Sequence, residues 1–162
     1  MPSWQLLVSL LVIALLLDNK GQSMKATYYP YFRGKQFELL SIRKFVEDFP
    51  GTVVCPIIEP VKDSFSAVKR TLDVIKRFHT PCIIIVNPKV GSSSYHNANF
   101  QELLSEYSQV EDISFGFIID GSQDDQDIEN VLKTYSQEKI SIIHRNNPHM
   151  NLTVSLPRIN IL

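Results

Sequence analysis

The stretch Thr52-Val-Val-Cys-Pro-Ile-Ile-Glu59 is a continuous apolar run that stops on a carboxylate. Three later runs have the same form: Cys82-Ile-Ile-Ile-Val86 before Asn87, Ile113-Ser-Phe-Gly-Phe-Ile-Ile119 before Asp120, and Ile140-Ser-Ile-Ile143 before His144. A strand that is apolar on both faces is buried on both, as in a parallel sheet covered by crossover helices. The runs begin at Val53, Cys82, Ile113 and Ile140, spaced 29, 31 and 27 residues apart. That is roughly the 30-residue span of a βα unit. The fold class is therefore α/β, with four βα units on a parallel sheet that forms either part of a (β/α) barrel or a small doubly wound sheet. A complete barrel takes about 250 residues. Only 139 remain from Met24 onward, so a complete barrel is excluded.

Helical periodicity fills the intervals. Gln36–Asp48 carries Phe37, Leu40, Phe45 and Val46 as its apolar face, broadened by Leu39 and Ile42, and Pro50-Gly51 ends it. Asp63 or Ser64 is placed to cap a second helix with Phe65, Val68, Leu72, Ile75 and Phe78 at spacings of three and four. Asn97 or Asn99 opens a third with Phe100, Leu103, Leu104 and Tyr107. Asp124 or Asp125 opens a fourth with Ile128, Val131, Leu132 and Tyr135.

The 44% hydrophobic and 20% charged content is that of a globular domain, and a net charge of -1 gives no global field for nucleic acid or anionic lipid. Cys55 and Cys82 both sit inside apolar strands and read as buried, reduced thiols; no C-x-x-C or histidine spacing supports a zinc site. Residues 1–23 differ from the rest. Leu6–Leu17 resembles the apolar core of an export signal, but no Lys or Arg precedes it and it stops at Asp18, short of the ~20 residues of a membrane span. The segment is read as a hydrophobic leader or a spurious upstream extension, with residues 24–162 as one α/β domain. The protein is cytoplasmic if Met24 is the start, and exported or membrane-associated if the leader is real.

Tyr28-Tyr-Pro-Tyr-Phe-Arg-Gly-Lys-Gln-Phe-Glu38 is aromatic and basic, with Arg33 and Lys35 flanking a glycine. Such a turn is suited to gripping an anion. Tyr29–Leu39, the Pro56–Lys62 strand end and the Asn87–Gly91 turn together resemble the start of the beta-protein family of phages and bacteria, in its bacterial branch. The resemblance covers roughly residues 24–145. It implies a barrel-type α/β protein about twice this length, of which the present chain is the N-terminal half, and a nuclease-like neighbour as protein partner in a mobile-element or defence system. In a half barrel, Val154–Leu156 and Ile159–Leu162 would form an edge strand or a frayed end, and exposed sheet edges would favour self-association.

Parallel α/β sheets bind ligands at the carboxyl ends of their strands, where Glu59, Asn87, Asp120 and His144 fall. Glu59 and Asp120 would hold a divalent cation or serve as base and acid, His144 would transfer protons, and Asn87 would orient a substrate. Lys62, Lys89 and Arg145 lie close by and would neutralise a phosphate, with Arg33, Lys35 and Glu38 contributing from the aromatic-basic turn. The serine-rich turn Val90-Gly-Ser-Ser-Ser94 matches no phosphate-loop spacing, and no G-x-S-x-G elbow is present. Three readings of function follow: a binding or regulatory component acting with a partner protein, a phosphate-directed hydrolase or lyase, or an inactive truncated fragment.

Overall fold

Six parallel strands cross one sheet in chain order, β1-β2-β3-β4-β5-β6, in a computed structural model that describes residues 28–51, 53–92, 97–121, 126, 130, 133, 140–145 and the backbone of 159–161. The elements are β1 (Tyr31–Phe32), α1 (Gln36–Asp48), β2 (Ile57–Ile58), α2 (Ser66–Arg77), β3 (Cys82–Ile85), α3 (Ala98–Tyr107), β4 (Ile113–Ile119), β5 (Ile140–His144) and β6 (Ile159–Ile161). The order never reverses. A doubly wound sheet reverses at its switch point, whereas strands added always on the same side, through right-handed crossovers, place every helix on one face. The packing agrees: side chains of α1, α2 and α3 share one buried cluster with Ile58, Ile84, Phe115, Phe117 and Ile142. The sheet is thus wound in one direction, as a barrel wall is.

The other face carries a smaller cluster of Cys55, Ile57, Ile83, Ile85 and Ile118, with Tyr29 and Ile143 against it. Registers Ile57↔Ile83 and Ile118↔Ile143 line these residues up across the strands. Gly116 makes room for them, since a Cβ there would lie 2.6 Å from Ile83 Cγ2 and 2.9 Å from Ile143 Cδ1. Both cysteines are buried and unbridged, and burial pushes the Cys55 thiol up to about 12 and the Cys82 thiol well above its ordinary value.

Three expectations change. The core face of α1 is Leu39, Ile42 and Val46, while Phe37 is 78% and Leu40 51% exposed. Apolar residues are spread round the helix among polar ones, so periodicity alone cannot choose its buried stripe. The N-cap of α2 is Phe65, without a side-chain cap, and not Asp63 or Ser64. Tyr31–Phe32, for which the sequence predicts no element, pairs with Ile57–Ile58 as an edge strand. Other expectations hold: Asn97 caps α3, accepting from Asn99 N at 2.9 Å, and Ile159–Ile161 forms the opposite edge against β5. The leader over residues 1–23, the Val154–Leu156 strand and the apolar positions of the fourth helix lie outside the described residues.

Candidate functional site

Side chains alternate across a strand, so residues two apart share a face. Glu59 follows Ile57, Asn87 follows Ile85, Asp120 follows Ile118 and Arg145 follows Ile143; all four are in phase with the face that no described helix covers. His144 is one residue out of phase with them and stands exposed at the end of β5.

Glu59 is only 1% exposed, and each of its oxygens has a partner. The Tyr31 hydroxyl donates to Oε2 at 2.7 Å, and the Lys89 backbone N–H donates to Oε1 at 2.6 Å. Burial, the hydrogen bond to Glu59 and its charge push the Tyr31 phenol well above its ordinary value, while Arg145 and Arg33 pull it the other way. Lys89 also reaches Asp120, Nζ to Oδ1 at 3.5 Å, so it links the ends of β2 and β4. Asn87 is occupied differently. Its Nδ2 donates to Ile118 O at 2.9 Å and its Oδ1 accepts from Ile118 N at 2.8 Å. The side-chain amide replaces the backbone ladder at the point where the chain leaves β3.

The connecting loops nest on one another. A Cβ on Gly34 would lie 3.0 Å from the Glu59 carbonyl, Ser92 N donates to Val61 O at 3.1 Å, and at Gly91, with φ 90°, a Cβ would overlap the Val61 carbonyl. Gly91 is therefore required by close backbone approach and by its left-handed conformation, while a Cβ at Gly34 would be tight against the Glu59 carbonyl. The turns after β1, β2 and β3 form one rim.

Within that rim a cavity of about 350 Å³ is lined by Tyr31, Arg33, Glu59, Ile118, Ile143, His144 and Arg145. It unites four of the expected residues, Glu59, His144, Arg33 and Arg145. Asn87, Asp120, Lys35, Glu38, Lys62 and Lys89 do not line it. Lys35 is the exposed N-cap residue of α1, and Glu38, in its first turn, has Oε2 buried with no hydrogen-bond partner among the described residues. Lys62 opens instead into a second cavity between α1 and α2. Tyr31 was not anticipated in the site; recognising β1 as a strand would have placed it on the face of Ile57.

With the acid of the cavity engaged by Tyr31 and Lys89, the remaining charged residues among its described lining are Arg33 and Arg145, joined by His144, Ile118 and Ile143. Such a site complements an anion attached to an apolar body. Among the described residues no group of three or more His, Cys, Asp and Glu converges to hold a metal ion. No helix among them is long and apolar enough to cross a membrane. The fold and site define a singly wound parallel α/β protein with a basic cavity at its strand carboxyl ends. No family model, curated protein or solved structure matches the chain.

Proposed function

We propose that this protein binds a small phosphorylated organic molecule in the cavity between β1, β2 and β5. The observation that carries the reading is the pairing of Arg33 and Arg145 across a partly apolar cavity in which the only carboxylate among the described residues, Glu59, is already hydrogen-bonded on both oxygens. The arginines would hold the phosphate, bidentate where geometry allows. Ile118 and Ile143 would take the organic body, and Tyr31, fixed by Glu59, would orient it. If the bound ester is also cleaved, His144, which lines the cavity, is placed to take part.

The test is a thermal-shift titration with phenyl phosphate. Saturable stabilisation of the wild-type chain is expected, with Arg145→Gln weakening binding by about tenfold, the effect of one charge-assisted contact. Indifference of the wild-type chain to phenyl phosphate, or an undiminished response in Arg145→Gln, would rule the reading out.

A second reading, in which the protein works with a protein partner such as the nuclease-like neighbour implied by the family resemblance, is favoured by the outer side of α1. That side exposes Phe37, Leu40 and Phe45, and Phe49 extends it just beyond the helix end. An apolar stripe of this kind is common at interaction surfaces. Co-expression with the nuclease-like neighbour should give a complex that Phe37→Glu disrupts; a partner retained by that variant would remove the support.

A further inference from the structure

A second cavity, also of about 350 Å³, opens between α1 and α2 on the helix-covered side of the rim. Arg43 reaches it from α1, Lys62 from the loop after β2, and Arg70 from α2, with Ser64, Ser66 and Gln36 completing its polar wall. Three cations from three segments meet there, and no acidic residue lines the cavity among the described residues. Among the described residues no carboxylate forms an ion pair with any of them. Like charges brought together at a cavity repel one another unless an anion lies between them.

The arrangement is also ordered in advance. Arg43 is pinned to α2 by donating to Thr71 Oγ1 at 2.9 Å, and more weakly to the Ala67 carbonyl at 3.5 Å; Thr71 is fully buried and itself donates to Ala67 O at 2.9 Å. Arg70 Nε donates to Ser66 O at 3.3 Å, which turns its guanidinium back along the first turn of α2. Side chains held in place lose less freedom when a ligand arrives. The first turn of α2, Ser66 to Val68, lines the same cavity, has no side-chain cap and contains no acidic residue. The first N–H groups of a helix have no intrahelical partner, and here they belong to the turn that lines the cavity.

We propose that this cavity is a phosphate-binding site, distinct from the carboxyl-end cavity, in which Arg43, Lys62 and Arg70 hold the phosphate group of a small phosphorylated ligand or free phosphate itself. The two sites are separable because Lys62 and Arg70 do not line the first cavity and Arg145 does not line the second.

Calorimetric titration of the full chain with inorganic pyrophosphate tests the site. Saturable binding is expected for the wild-type protein and for Arg145→Gln, weakening as salt is raised, as screened charge contacts do. The double variant Lys62→Gln/Arg70→Gln should bind at least about tenfold more weakly, having lost two charge-assisted contacts. Both side chains are exposed, so its melting temperature in buffer should match that of the wild type. If the double variant does not fold, Lys62→Gln alone carries the same test, with binding weakened by about threefold or more. Absence of pyrophosphate binding by the wild type, undiminished binding in the variants, or loss of binding in Arg145→Gln would each overturn the proposal. Phenyl phosphate titrated into the same variants separates the two sources of phosphate: a response that follows Lys62 and Arg70 assigns this site to an ester, and one that follows Arg145 alone leaves free phosphate as its ligand.

Discussion

The two faces of the sheet are built from similar strands and end differently. On the helix-covered face, Ile58, Ile84, Phe115, Phe117 and Ile142 meet Leu39, Ile42, Val46, Leu72, Ile75 and Phe100, and apolar contact continues out to the helices. On the opposite face, a short floor of Ile57, Ile83, Ile85 and Ile118 gives way within one residue pair to Glu59, Asn87 and Asp120. One face is apolar along its length; the other carries Ser114 and Ser141 within its strands and turns charged at its carboxyl end. Substitutions on the first should act on stability alone. Those at the polar end should divide between residues that hold the rim together and residues that face its cavity.

The largest expected effect tests the first half of that contrast. Phe100 is fully buried and stacked on Phe65 with ring centroids 5.0 Å apart. Phe100→Ala should lower unfolding free energy by about 3–5 kcal/mol in chemical denaturation, through lost burial and a residual cavity. A much smaller loss would show that the helix layer collapses around the gap and is less rigid than the contacts imply.

At the rim, Asn87→Ala removes both bonds to Ile118 and should cost about 1–3 kcal/mol, because a partly buried backbone N–H and C=O lose their partners. Phenyl phosphate binding should survive in whatever fraction remains folded. If stability were unchanged while binding vanished, Asn87 would belong to the ligand site and not to the ladder.

Tyr31→Phe is expected to have the smallest effect and the most specific one. The phenol is raised above its ordinary value of about 10, chiefly by burial and by Glu59, so the protonated form is the one the fold favours. Its contribution is complete below the unfolded value and fades as pH rises through the higher folded value. At neutral pH the variant should lose about 1 kcal/mol through the missing hydrogen bond to Glu59. The gap between wild type and variant should begin to narrow above about pH 10 and close only as pH passes the higher folded value. A gap of constant size across that range, followed by thermal melts, would mean that the hydroxyl does not titrate against Glu59.

Much of this was legible in the chain. The apolar runs at about 30-residue intervals specify parallel strands, because only strands covered on both sides have no polar face. The strand-end positions of Glu59, Asn87, Asp120 and His144 follow from where those runs stop. Asn97 as the α3 cap follows from the local chemistry of a side chain reaching its own backbone. Each of these depends on neighbours a few residues away.

What the tertiary structure decided depends on distant neighbours. Which side of α1 is buried was settled by the sheet beneath it, since Phe37 and Leu39 are equally apolar as letters. β1 exists as a strand because Ile57 and Ile58 offer it an edge; a two-residue strand has too little pattern of its own to be recognised. The roles of the strand-end residues separated in the same way. Glu59 was tied to Tyr31 and Lys89, Asn87 was drawn into the ladder, and Lys62 was sent with Arg43 and Arg70 to another cavity. Periodicity assigns a residue to a face, but hydrogen-bond partners 28 to 31 positions away determine what remains available for a ligand. The sequence by itself determined the strands, their direction and the end at which polar groups gather; only the packing of one βα unit against the next decided which of those groups are already satisfied.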